Sequence, residues 1–329
     1  MSSPILGVED IIKSFEKLNP LEHEMINYWH YFRFNENPVI ALYIPRIHMY
    51  NEVSPFDYEY LFRIVSVIKT LNSLRLRIGN PPIDVYLSTR LALLPEKFHS
   101  KLPCLVLEPT NYNFSVVHKG EALIKAMLKL KFPFISSNLW DQELLLDTIQ
   151  KVIWGTISLQ HKYYPVSRGQ DIIVRDIFLL GAPVFSLKEL QIENDYIHLS
   201  FKVVFPPEIT ENHLIEKFLE NIENTYYDLS SIETNIIVDA ARVIPDKKIH
   251  VIAEEAFREI YLREPEYEWF PFPTVFNVLS KNNKEILAIG PHSHINLTKK
   301  EEINISEIEE DKDLDKFVQF ISRLILKLV

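Results

Sequence analysis

The chain has 329 residues, 47% of them hydrophobic, and carries 35 Lys and Arg against 45 Asp and Glu, a formal net charge of −10. That supplies apolar material for more than one core but no clustered excess of positive charge, which excludes a general nucleic-acid binder. Seven glycines and one cysteine exclude a glycine-rich phosphate loop of either common type and any internal disulfide.

In chain order, the N-terminal stretch MSSPILGVEDIIKSFEKLNP has early acidic residues and lacks a basic and an apolar leader region. No segment approaches about eighteen consecutive apolar residues, so a cytoplasmic protein with no membrane partner is expected. The run 37–44 (NPVIALYI) reads as a strand. Residues 54–71 then place Phe56, Tyr60, Leu61, Ile64, Val67 and Ile68 at helical spacing, with Ser54 as N-cap, Pro55 at the first helical position and Asp57 closing a capping box. Short apolar runs at 83–88, 103–108 and 113–118 predict three further strands. Cys104, inside LPCLVLEP, reads as a small buried thiol.

Between 120 and 244 the order changes. The pattern predicts a strand at 122–131, a helix at 141–159, strands at 171–181 and 195–205, a helix at 210–226 and a strand at 235–244. That order is β-α-β-β-α-β, a ferredoxin-like unit complete in itself. A helix at 247–263, a strand at 285–290 and a closing amphipathic helix at 314–329 follow, and the acidic run EINISEIEEDKDLD between them reads as solvated surface. The expected architecture is an α/β domain of residues 1–119 and 245–329, interrupted by an α+β domain of residues 120–244.

Several stretches in this order resemble one known family. LEPTNYNFSVVHKGEA (107–122) is similar to the Gly-Glu-Pro-Thr segment and following Gly-His-Lys-Gly-Glu strand of the zinc-dependent aminoacylase, acetylornithine deacetylase and desuccinylase metallopeptidases. PFDYEYLFRIVSVIKTLN resembles their Val-Asp-x-Lys-Gly helix, FKVVFPPEITENHLIEKF their Asp-x-Arg-x-Pro-Pro-Gly strand and helix, and PTVFNVL their Gly-Thr-Ser-Asp segment. GPHSHINLTKKEEINISEI (290–308) resembles the terminal Gly-Pro-Gly-x-Ser signature, and FNVLSKNNKEILAIGP looks closest to the archaeal branch that releases lysine or ornithine from an acidic carrier protein. The resemblance implies a zinc-exopeptidase-like α/β domain with an inserted ferredoxin-like lid that serves for dimerisation. It also implies two zinc ions held by carboxylates and imidazoles, with a Glu as general base.

Carried over residue by residue, this ligand set thins out. Asp57 falls at the bridging Asp and Glu108 at the carboxylate of the Glu-Pro motif; capping alone also accounts for Asp57, and Glu108 also reads as an ordinary exposed carboxylate at a strand end. The first His-x-Asp motif meets Ile44 and Arg46, or His48 and Tyr50 after a shift. The Glu-Glu pair meets Leu93, Leu94 and Pro95, with Glu96 reachable only by sliding the register. Ile135 and Val204 stand where the lid would offer His and Arg, and Leu297 stands at the terminal metal histidine, seven residues beyond Gly290; His292 and His294 come too early.

The expectation is therefore a non-catalytic homologue without a cofactor, forming a homodimer or pairing with an active relative through the lid, with an acidic carrier protein as a candidate partner. The alternative is a zinc-dependent hydrolase that releases an amino acid through a rearranged site, using Asp57, Glu108 and one of His48, His292 or His294. A sensor that binds small molecules in the vacated cleft is a third reading. The segment EPEYEWFPFPTVF (264–276) reads as an aromatic loop, either a ligand or partner surface or bulk that fills an emptied cleft.

Overall fold

Apolar runs become strands and amphipathic runs become helices in the computed structural model, which describes residues 8–46, 58–89, 94–130, 150, 183–193, 196–222, 227–291 and 312–329. The elements are α1 (Val8–Glu16), β1 (Glu22–Ile26), β2 (Trp29–Arg33), β3 (Ile40–Ile44), α2 (Tyr58–Ile78), β4 (Ile83–Ser88), β5 (Cys104–Leu107) and β6 (Phe114–His118). There follow β7 (Gly120–Leu130), β8 (Val184–Glu193), β9 (Tyr196–Phe205), α3 (Glu211–Ile222), β10 (Tyr227–Val238) and β11 (Ala241–Arg242). The chain closes with α4 (Lys248–Tyr261), β12 (Tyr267–Phe270), α5 (Val275–Leu279), β13 (Ile286–Ile289) and α6 (Lys312–Leu328). Packing divides the chain into two units, residues 1–117, 242–269 and 274–329 in one, and 118–241 with 270–273 in the other.

The first unit is built on a nine-stranded mixed sheet in the order β1-β2-β4-β3-β5-β13-β6-β11, with β12 paired to β6. Its centre, β4-β3-β5-β13, is parallel. Every residue of these four strands is buried, and that is why they read as unbroken apolar runs: a parallel sheet is covered on both faces. Helix α6 packs against α2 and α4. On one face Phe15 of α1 stacks on Phe32 of β2 at 5.0 Å. On the other, Tyr31, Tyr86 and Tyr43 lie in register across β2, β4 and β3 and stack at 4.9 and 4.5 Å. The Tyr43 hydroxyl donates to the Phe98 carbonyl (2.7 Å) and accepts from the Ser100 amide (3.0 Å), so its polar tip is satisfied inside the core. At the start of α4, the His250 Nδ1 accepts from the Lys247 amide (3.2 Å) while Nε2 lies 2.9 Å from the Ile286 carbonyl, an arrangement that needs a neutral ring; burial likewise lowers its pKa.

The second unit is a four-stranded antiparallel sheet in the order β10-β7-β9-β8 with α3 on one face, the ferredoxin-like strand order. β9 alternates half-buried and buried residues along its whole length. Its inward side chains pack with Ile124 and Leu128 of β7 and with Leu214 and Phe218 of α3, the Phe201 and Phe218 rings meeting edge-on at 5.2 Å. Leu214 is fully buried there. Leu214→Ala is expected to cost this unit about 2–3 kcal/mol by opening a cavity, read as a lower urea midpoint.

The α/β class and the inserted α+β sheet are as the hydrophobic pattern predicts; the details differ. Helix α2 runs on to Ile78, because Leu71 and Leu74 continue its buried face. The partner of β9 is Val184–Glu193, a strand the pattern did not reveal because its charged side chains mask the alternation; of the helix expected at 141–159 residue 150 alone is described, and it is helical, and the strand expected at 171–181 lies outside the described residues. The last strand of this unit is 227–238 instead of 235–244, a shift its polar first half conceals. Also not anticipated are α1, the β1–β2 hairpin, strand β12 within the segment read as an aromatic loop, and the short helix α5 that follows it.

Candidate functional site

Open α/β sheets place their sites at the carboxyl ends of parallel strands. Here those ends are Pro45 and Arg46 after β3, Ser88 and Thr89 at the end of β4, Glu108 after β5 and Gly290 after β13. β5 and β13 run so close that Gly290 lies against the Glu108 main chain. The Gly290 amide donates to the Thr110 Oγ1 (3.1 Å), and its carbonyl accepts from the Tyr112 amide (2.8 Å). Between them Asn111 and Tyr112 turn the chain in the left-handed region, at φ 52° and 60°.

Glu108 is the one predicted site residue that the described structure contains, and it is not an exposed carboxylate at a strand end. It is fully buried. Burial pushes its carboxyl up to about 8, against the opposing pull of the Thr274 hydroxyl and the Arg63 guanidinium. Thr274 is the cap of α5: its Oγ1 accepts from the Phe276 amide (3.1 Å) while its own amide donates to the Asn277 Oδ1 (2.9 Å). Asp57, His48, His292, His294, Ile135 and Leu297 lie outside the described residues.

Two residues that sequence reasoning passed over organise the same edge. Tyr60 and Arg63, three residues apart on α2 and therefore on one face, are 1% and 2% exposed. The Tyr60 hydroxyl donates to the Ser88 carbonyl. The Arg63 Nη1 donates to the carbonyls of Leu107 (2.6 Å) and Pro45 (3.2 Å), and its guanidinium lies 5.6 Å from the Tyr60 ring. Beside them Arg46 donates to the Thr89 carbonyl (3.1 Å). The signal was present: Arg63 falls between Tyr60 and Val67 on the apolar face of the helix, an unusual place for a charge.

Among the described residues the donor set of a dinuclear zinc centre is not assembled. A zinc ligand needs a deprotonated carboxylate or an imidazole lone pair. Glu108, the carboxylate at this edge among the described residues, is raised by burial to about 8, with the Arg63 charge acting in the opposite direction. Ile44, at the first family histidine, and Leu94, in the Glu-Glu segment, are buried hydrocarbons. Among the described residues no group of three or more His, Cys, Asp and Glu side chains could hold a metal ion.

Farther along the chain, His118 is fully buried and Lys119 nearly so; burial lowers the imidazole well below its usual value and the ammonium to about 8. The aromatic segment serves packing: Phe270 and Phe276 are fully buried, the Tyr267 ring meets Phe114 edge-on at 5.6 Å, and its hydroxyl donates to Glu254 (2.8 Å). Arg242 covers Trp269 at 5.4 Å. Among the described residues no helix is long and apolar enough to cross a membrane.

No family model matches the sequence, and no curated protein does. Solved structures do match the fold. The chain is similar to aminopeptidase PepT from Bacillus cereus, with a TM-score of 0.60 at 12% identity, over 97% of this chain and 92% of that one. It is similar to YXEP from Bacillus subtilis, described as a dinuclear metal binding peptidase of the M20 family (TM-score 0.56, 12% identity, 97% and 91% covered). It is also similar to Sso-CP2 from Sulfolobus solfataricus, an M20 family metallo-carboxypeptidase (TM-score 0.55, 11% identity, 97% and 94% covered). At such identities the likeness is one of fold, and its structural neighbours are metallopeptidases of the M20 type.

Proposed function

We propose that this chain is a non-catalytic protein on a metallopeptidase fold, acting by binding, as a homodimer or paired with an active relative through the inserted domain of residues 120–244. One observation carries the reading. At the carboxyl ends of the parallel strands, where this architecture builds its chemistry, Tyr60 and Arg63 are bonded to backbone carbonyls and Glu108 is sealed beside them. A hydrolase needs the opposite there: water, unprotonated donors and room for a substrate carbonyl. Following the branch the sequence resembles, an acidic carrier protein is the candidate partner.

The test is metal analysis of the purified protein, together with assays on dipeptides, N-acyl amino acids and carrier-protein conjugates of lysine or ornithine. Substoichiometric metal and no turnover are expected. About two zinc ions per chain with hydrolysis would instead favour the alternative, in which Asp57, Glu108 and one of His48, His292 or His294 form a rearranged site. Light scattering, alone and with a catalytic relative, checks the pairing.

A further inference from the structure

We infer that Tyr60 and Arg63 form an internal clamp that ties together the carboxyl ends of β4, β3 and β5, supplying from one turn of α2 the cross-strand restraint that a metal and its ligands would give; the inference rests on the non-catalytic reading above. The geometry is specific. β4, β3 and β5 are consecutive in the sheet, and the carbonyls engaged belong to one residue at or just past the end of each: Ser88, Pro45 and Leu107. Their outward carbonyls need donors once buried. A metal site meets that need indirectly, by gathering side chains from several strands around one cation. Here a single Arg63 nitrogen bridges two strand ends directly, and Tyr60, under the same guanidinium, secures the third.

Charge completes the case. A buried guanidinium is tolerated only when its donors meet acceptors, and Arg63 is 2% exposed with two carbonyls on one nitrogen. The strand ends are thus held by bonds from side chains of α2 alone. The chain then has no structural need of a metal at this edge.

Hydrogen exchange of the full-length protein tests this, with wild type, Arg63→Lys and Tyr60→Phe each measured with and without EDTA. Lysine keeps the charge but lacks the planar fork that spans two carbonyls, and Tyr60→Phe removes one hydroxyl from an otherwise intact core. The expected result is EDTA-insensitive exchange in the wild type. Arg63→Lys should exchange about tenfold faster in peptides covering 40–46 and 104–110, Tyr60→Phe should do so in 83–89, and peptides of β7 and β9 should be unchanged. EDTA-insensitive wild type with both variants exchanging at the wild-type rate overturns the clamp and leaves the non-catalytic reading standing. Wild-type strand ends that open with EDTA alone overturn that reading, and the clamp with it.

Discussion

Gly290→Ala is expected to cost about 4 kcal/mol or to prevent folding. Its β-carbon would collide with the Glu108 carbonyl oxygen and would sit 2.8 Å from the carbonyl carbon and 3.1 Å from the amide nitrogen. All three atoms are main chain, so no rotamer change relieves the contact. β5 and β13 would have to part just past their paired register, Ile289 against Leu107, and with them the bond from the Gly290 amide to Thr110. The demand is for space, not for an unusual torsion, which makes Gly79 the right control. Gly79 has φ +78°, and a β-carbon added there would meet nothing within 4 Å, so its replacement by alanine should cost only the left-handed strain, roughly 1–2 kcal/mol. Urea unfolding of the two variants checks the contrast. A Gly290→Ala midpoint equal to that of the Gly79 variant would mean that the two strand ends are not packed as described.

The same close approach shows how far the sequence could be read. Four apolar runs and a Glu-Pro-Thr turn gave the strands that end at the site, and the switch to β-α-β-β-α-β order gave the inserted sheet, because burial on both faces and alternation on one face leave direct marks on residue type. The edges were harder. β8, with Lys188, Glu189, Gln191 and Glu193 exposed or partly so, carries the charges that blunt a sheet edge, and these erase the period a strand is recognised by. Glu108 was legible as a position but not as an environment: nothing local distinguishes a strand-end carboxylate in water from one that is fully buried. Arg63 was legible only by taking a charge on an apolar helix face seriously, as a residue that must have acceptors waiting.

Glu108→Gln should reverse the usual expectation for a site carboxylate and stabilise the protein at alkaline pH. The folded-state pKa is raised from 4.5 to about 8, chiefly by burial. In the native state the proton is therefore retained up to about pH 8, while the unfolded chain releases it near 4.5. Across that window the native state binds one proton more than the unfolded state, so stability is full below pH 4.5 and declines as pH rises towards 8. The loss from this group is on the order of 4 kcal/mol. Glutamine has the shape of the protonated acid, but it cannot ionise. The variant should match the wild type near pH 5 and exceed it by several kcal/mol near pH 8, with His30 and other titrating groups cancelling between the two proteins. Urea midpoints at pH 5 and pH 8 measure this. If Glu108 were a working metal ligand, losing its charge would remove binding energy from the folded state, and Glu108→Gln would be the less stable protein at pH 8. The sign of that one difference therefore separates a sealed acid from a ligand.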